Sequence, residues 1–214
     1  MSEPRNDYEL HVTVKADDLE RFRADCAKIG VKPIVLDLQD YAGGSVMQDV
    51  MTSSKFTALP KRYATELNLV VEELQELGYE VVRTKVEAAP YNPVCPSEVN
   101  DIIMRRGQYF EAHFRVLTRE DRLERLREHC ECLDAHLSKN IFKKDGAKIA
   151  ILVTYRHYRG TIEGFQDMVD LVGRSLKHKG FEVDKTEVEF VVYDSNGNHD
   201  DAWTGLAQML PLVQ

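Results

Sequence analysis

Glu9-Leu10-His11-Val12-Thr13-Val14 returns 102 positions later as Glu111-Ala112-His113-Phe114-Arg115-Val116. In both stretches apolar side chains alternate with Glu, His and Thr or Arg. That is the period of a strand that buries one face and presents a Glu-x-His pair on the other. The segment after each strand repeats as well. Beyond the first, Asp17 stands three residues before Glu20, a capping-box spacing. Leu19, Phe22, Cys26 and Ile29 then make one helical stripe that Gly30 ends. Residues 33–38 read as a second strand, Gly43-Gly44 as a turn and residues 46–52 as a third strand. A second helix is expected over about residues 60–77, with Tyr63, Leu67, Val70 and Leu74 inward and Gly78 as its stop. Residues 81–89 give a fourth strand.

The second copy keeps step. Thr118 is the expected cap of its first helix, and Leu123, Leu126, Cys130 and Leu133 repeat the first stripe at an offset of 104. A hairpin turn at Asp145-Gly146, two residues shorter than its counterpart, restores the offset to 102. Phe165, Val169, Val172 and Leu176 then match the second stripe, Gly180 matches Gly78, and Thr186-Glu187-Val188-Glu189 echoes Thr84-Lys85-Val86-Glu87. The order strand, helix, strand, strand, helix, strand is the ferredoxin-like pattern. The expected fold is therefore α+β: a tandem duplication of a ferredoxin-like βαββαβ unit, with two antiparallel sheets able to face each other. The expected units are 1–93 and 109–214, the latter with a C-terminal tail. The linker 94–108 carries Pro96 and Arg105-Arg106.

Composition narrows the function classes. A 43% hydrophobic, 30% charged chain of 214 residues is ordinary for a globular protein, and no run nears the roughly 18 apolar residues a membrane helix needs. The opening Met1-Ser2-Glu3-Pro4-Arg5-Asn6-Asp7 lacks the basic-then-apolar pattern of a secretion signal, so the expected compartment is the cytoplasm. The net charge of -8 is shared between the halves: residues 1–93 hold 11 basic and 16 acidic residues, leaving 17 and 20 for the remainder. Without a basic stripe, binding to a nucleic-acid backbone is not expected. An RNA-reading sheet is disfavoured too, because its central strands would display aromatic residues where Glu, His and Thr stand. Cys26, Cys95, Cys130 and Cys132 are too few and too irregularly spaced for a disulfide framework or a zinc knuckle.

In a ferredoxin-like unit the first strand is central and the fourth runs beside it. One polar face is then built from Glu9, His11 and Thr13 with Arg83, Lys85 and Glu87, and its twin from Glu111, His113 and Arg115 with Lys185, Glu187 and Glu189. If the two faces meet, His11 and His113 line one cleft, an arrangement suited to acid and base work. The third strands cannot be oriented, since Val50-Met51-Thr52 and Leu152-Val153-Thr154 are apolar on both parities. A metal is the alternative use of the same side chains: His11 with Glu87 and His113 with Glu189 offer two nitrogen and two carboxylate ligands. The loop Asp194-Ser195-Asn196-Gly197-Asn198-His199-Asp200 resembles a calcium loop but has no glycine at its sixth place and Gly205 at its twelfth, so it reads as a turn. His136 reads as a helix-end residue.

His11-Val12-Thr13-Val14 has the form His-x-Thr-x, and His113-Phe114-Arg115-Val116 has half of it. Two such motifs in two pseudo-symmetric lobes resemble the two-histidine phosphoesterases. The resemblance implies that His11 and His113 act as base and acid on a phosphate-bearing molecule or nucleotide end, with Thr13 binding phosphate. Arg115 replaces the second threonine. The phrases Ala135-His136-Leu137-Ser138-Lys139-Asn140, Phe190 to Asn196 with Trp203 beyond, and Thr84-Lys85-Val86-Glu87-Ala88 also resemble a group of bacterial proteins without an assigned activity. The expectation is an enzyme with His11 and His113 as catalytic groups and Thr13, Arg115, Lys85, Glu9 and Glu111 as substrate-binding groups. Two alternatives stand beside it: a non-catalytic ligand-binding or protein-interaction module, and a metal-dependent enzyme. No cofactor and no oligomeric state is indicated.

Overall fold

The computed structural model describes residues 7–39, 46–57, 62–97, 107–145 and 148–197. The elements run β1 (Asp7–Lys15), α1 (Leu19–Lys28), β2 (Lys32–Gln39), β3 (Val46–Thr57), α2 (Tyr63–Glu76) and β4 (Glu80–Ala88). They continue with β5 (Tyr109–Thr118), a 3-10 turn (Glu120–Arg122), α3 (Leu123–Glu131), β6 (Ala135–Asp145), β7 (Lys148–His157), α4 (Ile162–His178) and β8 (Glu182–Asp194). The fold is α+β, with eight strands in one antiparallel sheet ordered β2-β3-β1-β4-β8-β5-β7-β6. The turn at Gly43-Gly44 and the greater part of the linker lie outside the described residues; of the turn at Asp145-Gly146, Asp145 ends β6 opposite Lys148 and Gly146 lies outside them.

One sheet replaces the two expected from the sequence. The join is β4 with β8, where Lys85 to Ala88 pair with Asp194 to Phe190 across a bulge. A buried clamp holds it. Arg83 donates from Nε and Nη2 to both oxygens of Asp194, at 3.0 and 2.6 Å, and Tyr109 Oη donates to the same carboxylate at 2.8 Å. β8 runs five residues past Glu189, and that extension supplies the pairing. The sheet curls until its end strands β2 and β6 come within 8 Å of each other, Cα to Cα, without forming a ladder. One side of the sheet therefore faces a concave interior and the other faces the helices.

The helix side is the apolar core. Leu10, Val12, Phe22, Cys26 and Leu74 of the first half are fully buried, as are Phe110, Phe114, Leu126, Phe165 and Leu176 of the second. The stripes expected from the sequence point inward: Leu67, Val70 and Leu74 on α2, and Phe165, Val169, Val172 and Leu176 on α4. Phe165 stacks on Phe110 and Tyr155 with ring centroids 5.1 and 5.9 Å apart, which pins α4 across β5 and β7. Gly78 and Gly180 close α2 and α4 at φ +88° and +78°, a left-handed backbone that favours glycine.

Two caps differ from expectation. Asp18, not Asp17, caps α1, accepting from Arg21 N at 2.9 Å, because the helix starts one residue later at Leu19. Thr118 caps nothing: it is the last residue of β5, and the 3-10 turn stands between it and α3. The cap of α4 is Thr161, which accepts from Gly164 N at 3.2 Å. Replacing Thr161 by Ala should cost about 1 kcal/mol of stability in urea denaturation. An unchanged midpoint would show that solvent caps that helix as well as the hydroxyl does.

Candidate functional site

The interior of the curled sheet is a cavity of about 460 Å³, within the range of small-molecule sites. Strand alternation puts Glu9, His11 and Thr13 of β1, Lys85 and Glu87 of β4, Glu111 and His113 of β5 and Glu189 of β8 on its wall. The two polar faces expected from the sequence thus meet, and His11 and His113 line one space. Arg115 does not join them. Its guanidinium is turned to Asp184 at 2.6 Å and stands off the cavity wall.

Lys85 sits at the centre. Its ammonium lies 2.5 Å from Glu87 Oε1, in the first half, and 2.5 Å from Glu111 Oε2, in the second. Each carboxylate then reaches a histidine: His11 Nε2 donates to Glu87 Oε2 at 3.1 Å, and His113 Nε2 stands 3.4 Å from Glu111 Oε2. The result is an unbroken run His11, Glu87, Lys85, Glu111, His113 across the join of the sheet. Arg156 Nε donates to Glu111 Oε1 at 2.6 Å, and the Tyr109 ring lies beneath both Lys85 and Arg156. Glu9 accepts from Ser53 Oγ at 2.6 Å and pairs with Lys55 at 3.0 Å.

Burial makes these charges interdependent. Desolvation alone would raise the pKa of Glu111, but Arg156, Lys85 and His113 outweigh it and hold the carboxyl well below the usual range. Glu87 follows the same pattern, with Lys85 and His11 overriding burial. Desolvation would lower Lys85, yet Glu111 and Glu87 keep it firmly protonated. Both histidines are raised: burial pulls His11 down, then the charge and hydrogen bond of Glu87 more than reverse it, as Glu111 does for His113. Glu189 goes the other way. Burial first, then the neighbouring Glu87 charge, push its carboxyl up to about 8.

The histidines are not equivalent. His113 has both ring nitrogens engaged, Nδ1 with Thr154 Oγ1 at 3.0 Å and Nε2 toward Glu111 and Glu189. His11 has Nε2 fixed on Glu87 and Nδ1 without a hydrogen-bond partner. Glu87 orients the His11 ring as the carboxylate partner of a general-base histidine does, and the Nδ1 left without a partner is itself buried.

A metal fits poorly. Among the described residues, the ligand atoms of Glu111, His113 and Glu189 lie within 4.8 Å of one another, and His11 and Glu87 do not join that group. Glu111 already receives an ammonium and a guanidinium, so a divalent ion there would sit against two cations. The Asp194 loop is a turn as far as it is described. Its carboxylate is taken by Arg83 and Tyr109 and also accepts from Asn196 N at 3.0 Å; residues 198–200 lie outside the described part. His136 is corrected: α3 ends at Glu131 and His136 belongs to β6, on the cavity wall. Sequence reasoning missed Arg156, Ser53 and Lys55. Their signal was parity on the third strands, Met51-x-Ser53-x-Lys55 and Leu152-x-Thr154-x-Arg156, which apolar residues on both faces obscured. All four cysteines are free thiols, and only Cys132 is exposed.

No helix among the described residues is long and apolar enough to cross a membrane. No family model matches the chain, and no curated protein does. Among solved structures, one from Galdieria sulphuraria, described as an unknown protein, aligns over 88% of this chain and 99% of its own, at 14% identity and a TM-score of 0.25. A likeness at that level carries no argument for fold or activity.

Proposed function

We propose that the chain is a duplicated ferredoxin-like unit whose shared interior is the active site of an acid–base enzyme acting on a small molecule. Three observations support the duplication. Strand order recurs as β4-β1-β3-β2 and β8-β5-β7-β6, bulges fall at the matching steps Thr13/Val14 and Arg115/Val116, and Gly78 and Gly180 end matching helices.

The observation that carries the enzyme reading is the His11–Glu87 pair, whose members both line the cavity and whose imidazole keeps one buried nitrogen, Nδ1, without a hydrogen-bond partner. His11 is the proton-transferring group in this reading. Glu87 is its positioning residue, kept ionised by Lys85, and His113 is the counterpart whose protonated form Glu111 favours. A buried ionic run of this length is weak support for stability, since well-packed apolar residues serve as well or better. Its placement on a cavity wall across the join of the sheet therefore favours chemistry. The phosphate-bearing substrate suggested by the two-histidine resemblance has less support, because Lys85 already holds two carboxylates.

The test is turnover of a defined mixture of small metabolites, read by mass spectrometry. His11→Asn should slow conversion of the consumed component about 10²-fold without lowering the melting temperature, and Glu87→Gln should shift the pH profile of the rate. Saturable binding of a component that is never converted would overturn the enzyme and leave a binding module.

A further inference from the structure

The cavity has two unlike walls. Lysines, arginines, carboxylates and histidines cover β1, β4, β5 and β8, whereas Ile34 and Leu36 of β2, Met51 of β3 and Leu152 of β7 add half-buried aliphatic side chains, set among Lys32, Asp49, His136 and Thr154. Six carboxylates, six lysines or arginines and three histidines line it, so overall charge does not choose a ligand; the pairing does. On the ionic wall Lys55 has Glu9, Lys85 has Glu87 and Glu111, Arg83 has Asp194 and Lys185 has Glu187. Arg156, from β7, has Glu111. Glu189 has no such partner: among the described residues it makes no hydrogen bond, and its nearest cation is the His113 ring at 3.7 Å. It also stands where the cavity meets a second hollow of about 450 Å³, which shares Glu9, Lys55, Glu87, Glu187 and Glu189 with the first.

We propose that the cavity takes an amphipathic amine, with its protonated amino group against Glu189 and its hydrocarbon body on Ile34, Leu36, Met51 and Leu152. This rests on the proposed small-molecule site and names its substrate class. An anion on the ionic wall would have to separate a carboxylate from Lys85 or Arg156 and leave it buried without its counter-ion; the one lining cation without a carboxylate among the described residues, Lys32, is exposed on β2, away from that wall. An ammonium breaks no existing pair and becomes the counter-ion that Glu189 lacks, the carboxyl giving up its proton as the amine binds. The aliphatic wall then selects for length, each further methylene tightening binding about fourfold until the wall is covered.

The experiment is calorimetric titration of the full chain with linear alkylamines from butylamine to octylamine, and with alkyl phosphates and carboxylates of the same lengths. Saturable amine binding that tightens with length and weakens at least tenfold in Glu189→Gln is the expected result. Preference for either anion series overturns the amine assignment while leaving the enzyme reading standing. Affinity independent of chain length, an unaltered Glu189→Gln variant, or no saturable binding of any series also overturns it. Amine binding as expected, with no amine of any class converted, would instead remove the enzyme and keep the ligand class.

Discussion

Replacing Lys85 by Met is expected to remove about 3–5 kcal/mol of folding free energy at pH 7, the usual result of breaking a buried ion pair from one side. The ammonium lies 2.5 Å from two carboxylates whose side chains are only 5% and 1% exposed. Methionine fills nearly the same volume and leaves the core on the helix side untouched, so the loss is electrostatic. Glu111 keeps Arg156, and Glu87 keeps only His11. Glu87 should therefore be the group that suffers, and Glu87→Gln in the Lys85→Met background should restore about half of the loss. The pH dependence has a definite sign. Glu87 and Glu111 have lowered pKa values when folded, so the stability they add is present above their ordinary value near 4.5 and is lost as pH falls through the folded values. Without Lys85 those values rise, and the deficit of the variant should be largest at neutral pH and shrink toward pH 4. Urea denaturation at pH 7 and pH 4 measures both. A deficit under about 1 kcal/mol at pH 7 would mean that water reaches the run and screens it.

How much of this was legible depended on whether the signal was local. The stripes Leu67, Val70, Leu74 and Phe165, Val169, Val172, Leu176 were readable because a helix writes its buried face as a fixed spacing, and both lie in the core. The Glu-x-His strands were readable for the same reason at period two. The joining of the halves was not. It depends on residues 190–194 extending β8 along β4, and nothing local in Phe190-Val191-Val192-Tyr193-Asp194 specifies which strand edge they will meet. The third strands were unreadable for a physical reason that the fold supplies. Val50 and Val153 face the helices while Met51 and Leu152 face the cavity, and an interior that is aliphatic on one wall erases the alternation a half-solvated strand would show. The candidate site was half visible: His11, His113, Glu87 and Glu111 stood out by recurrence. Lys85's position between the halves and Arg156's hold on Glu111 are products of the curled sheet, since Lys85 and Glu111 belong to different halves of the chain and meet across β8.

Glu189→Gln is expected to stabilise the protein above neutral pH, by about 2–4 kcal/mol at pH 9, and to leave it nearly unchanged at pH 5. The Glu189 carboxyl is raised to about 8 by burial and then by the Glu87 charge, against an ordinary 4.5. A raised value contributes stability that is fully present below the unfolded pKa and is lost as pH climbs through the folded one, so the loss spans about pH 4.5 to 8. Above that window the folded chain holds an ionised carboxylate beside Glu87 and Glu111, with no cation closer than His113 at 3.7 Å. Gln copies the protonated carboxyl and cannot ionise, so the variant escapes the penalty. His11 and His113 are also raised, and their contribution falls away above 6.5 in both proteins. The wild-type curve alone would mix the three groups. The difference between wild type and variant, from urea denaturation at pH 5, 7 and 9, cancels His11 and leaves Glu189 with the part of the His113 shift that it causes. Parallel curves across that range would mean that Glu189 ionises at its ordinary value, and the wall would then carry no carboxyl in want of a cation.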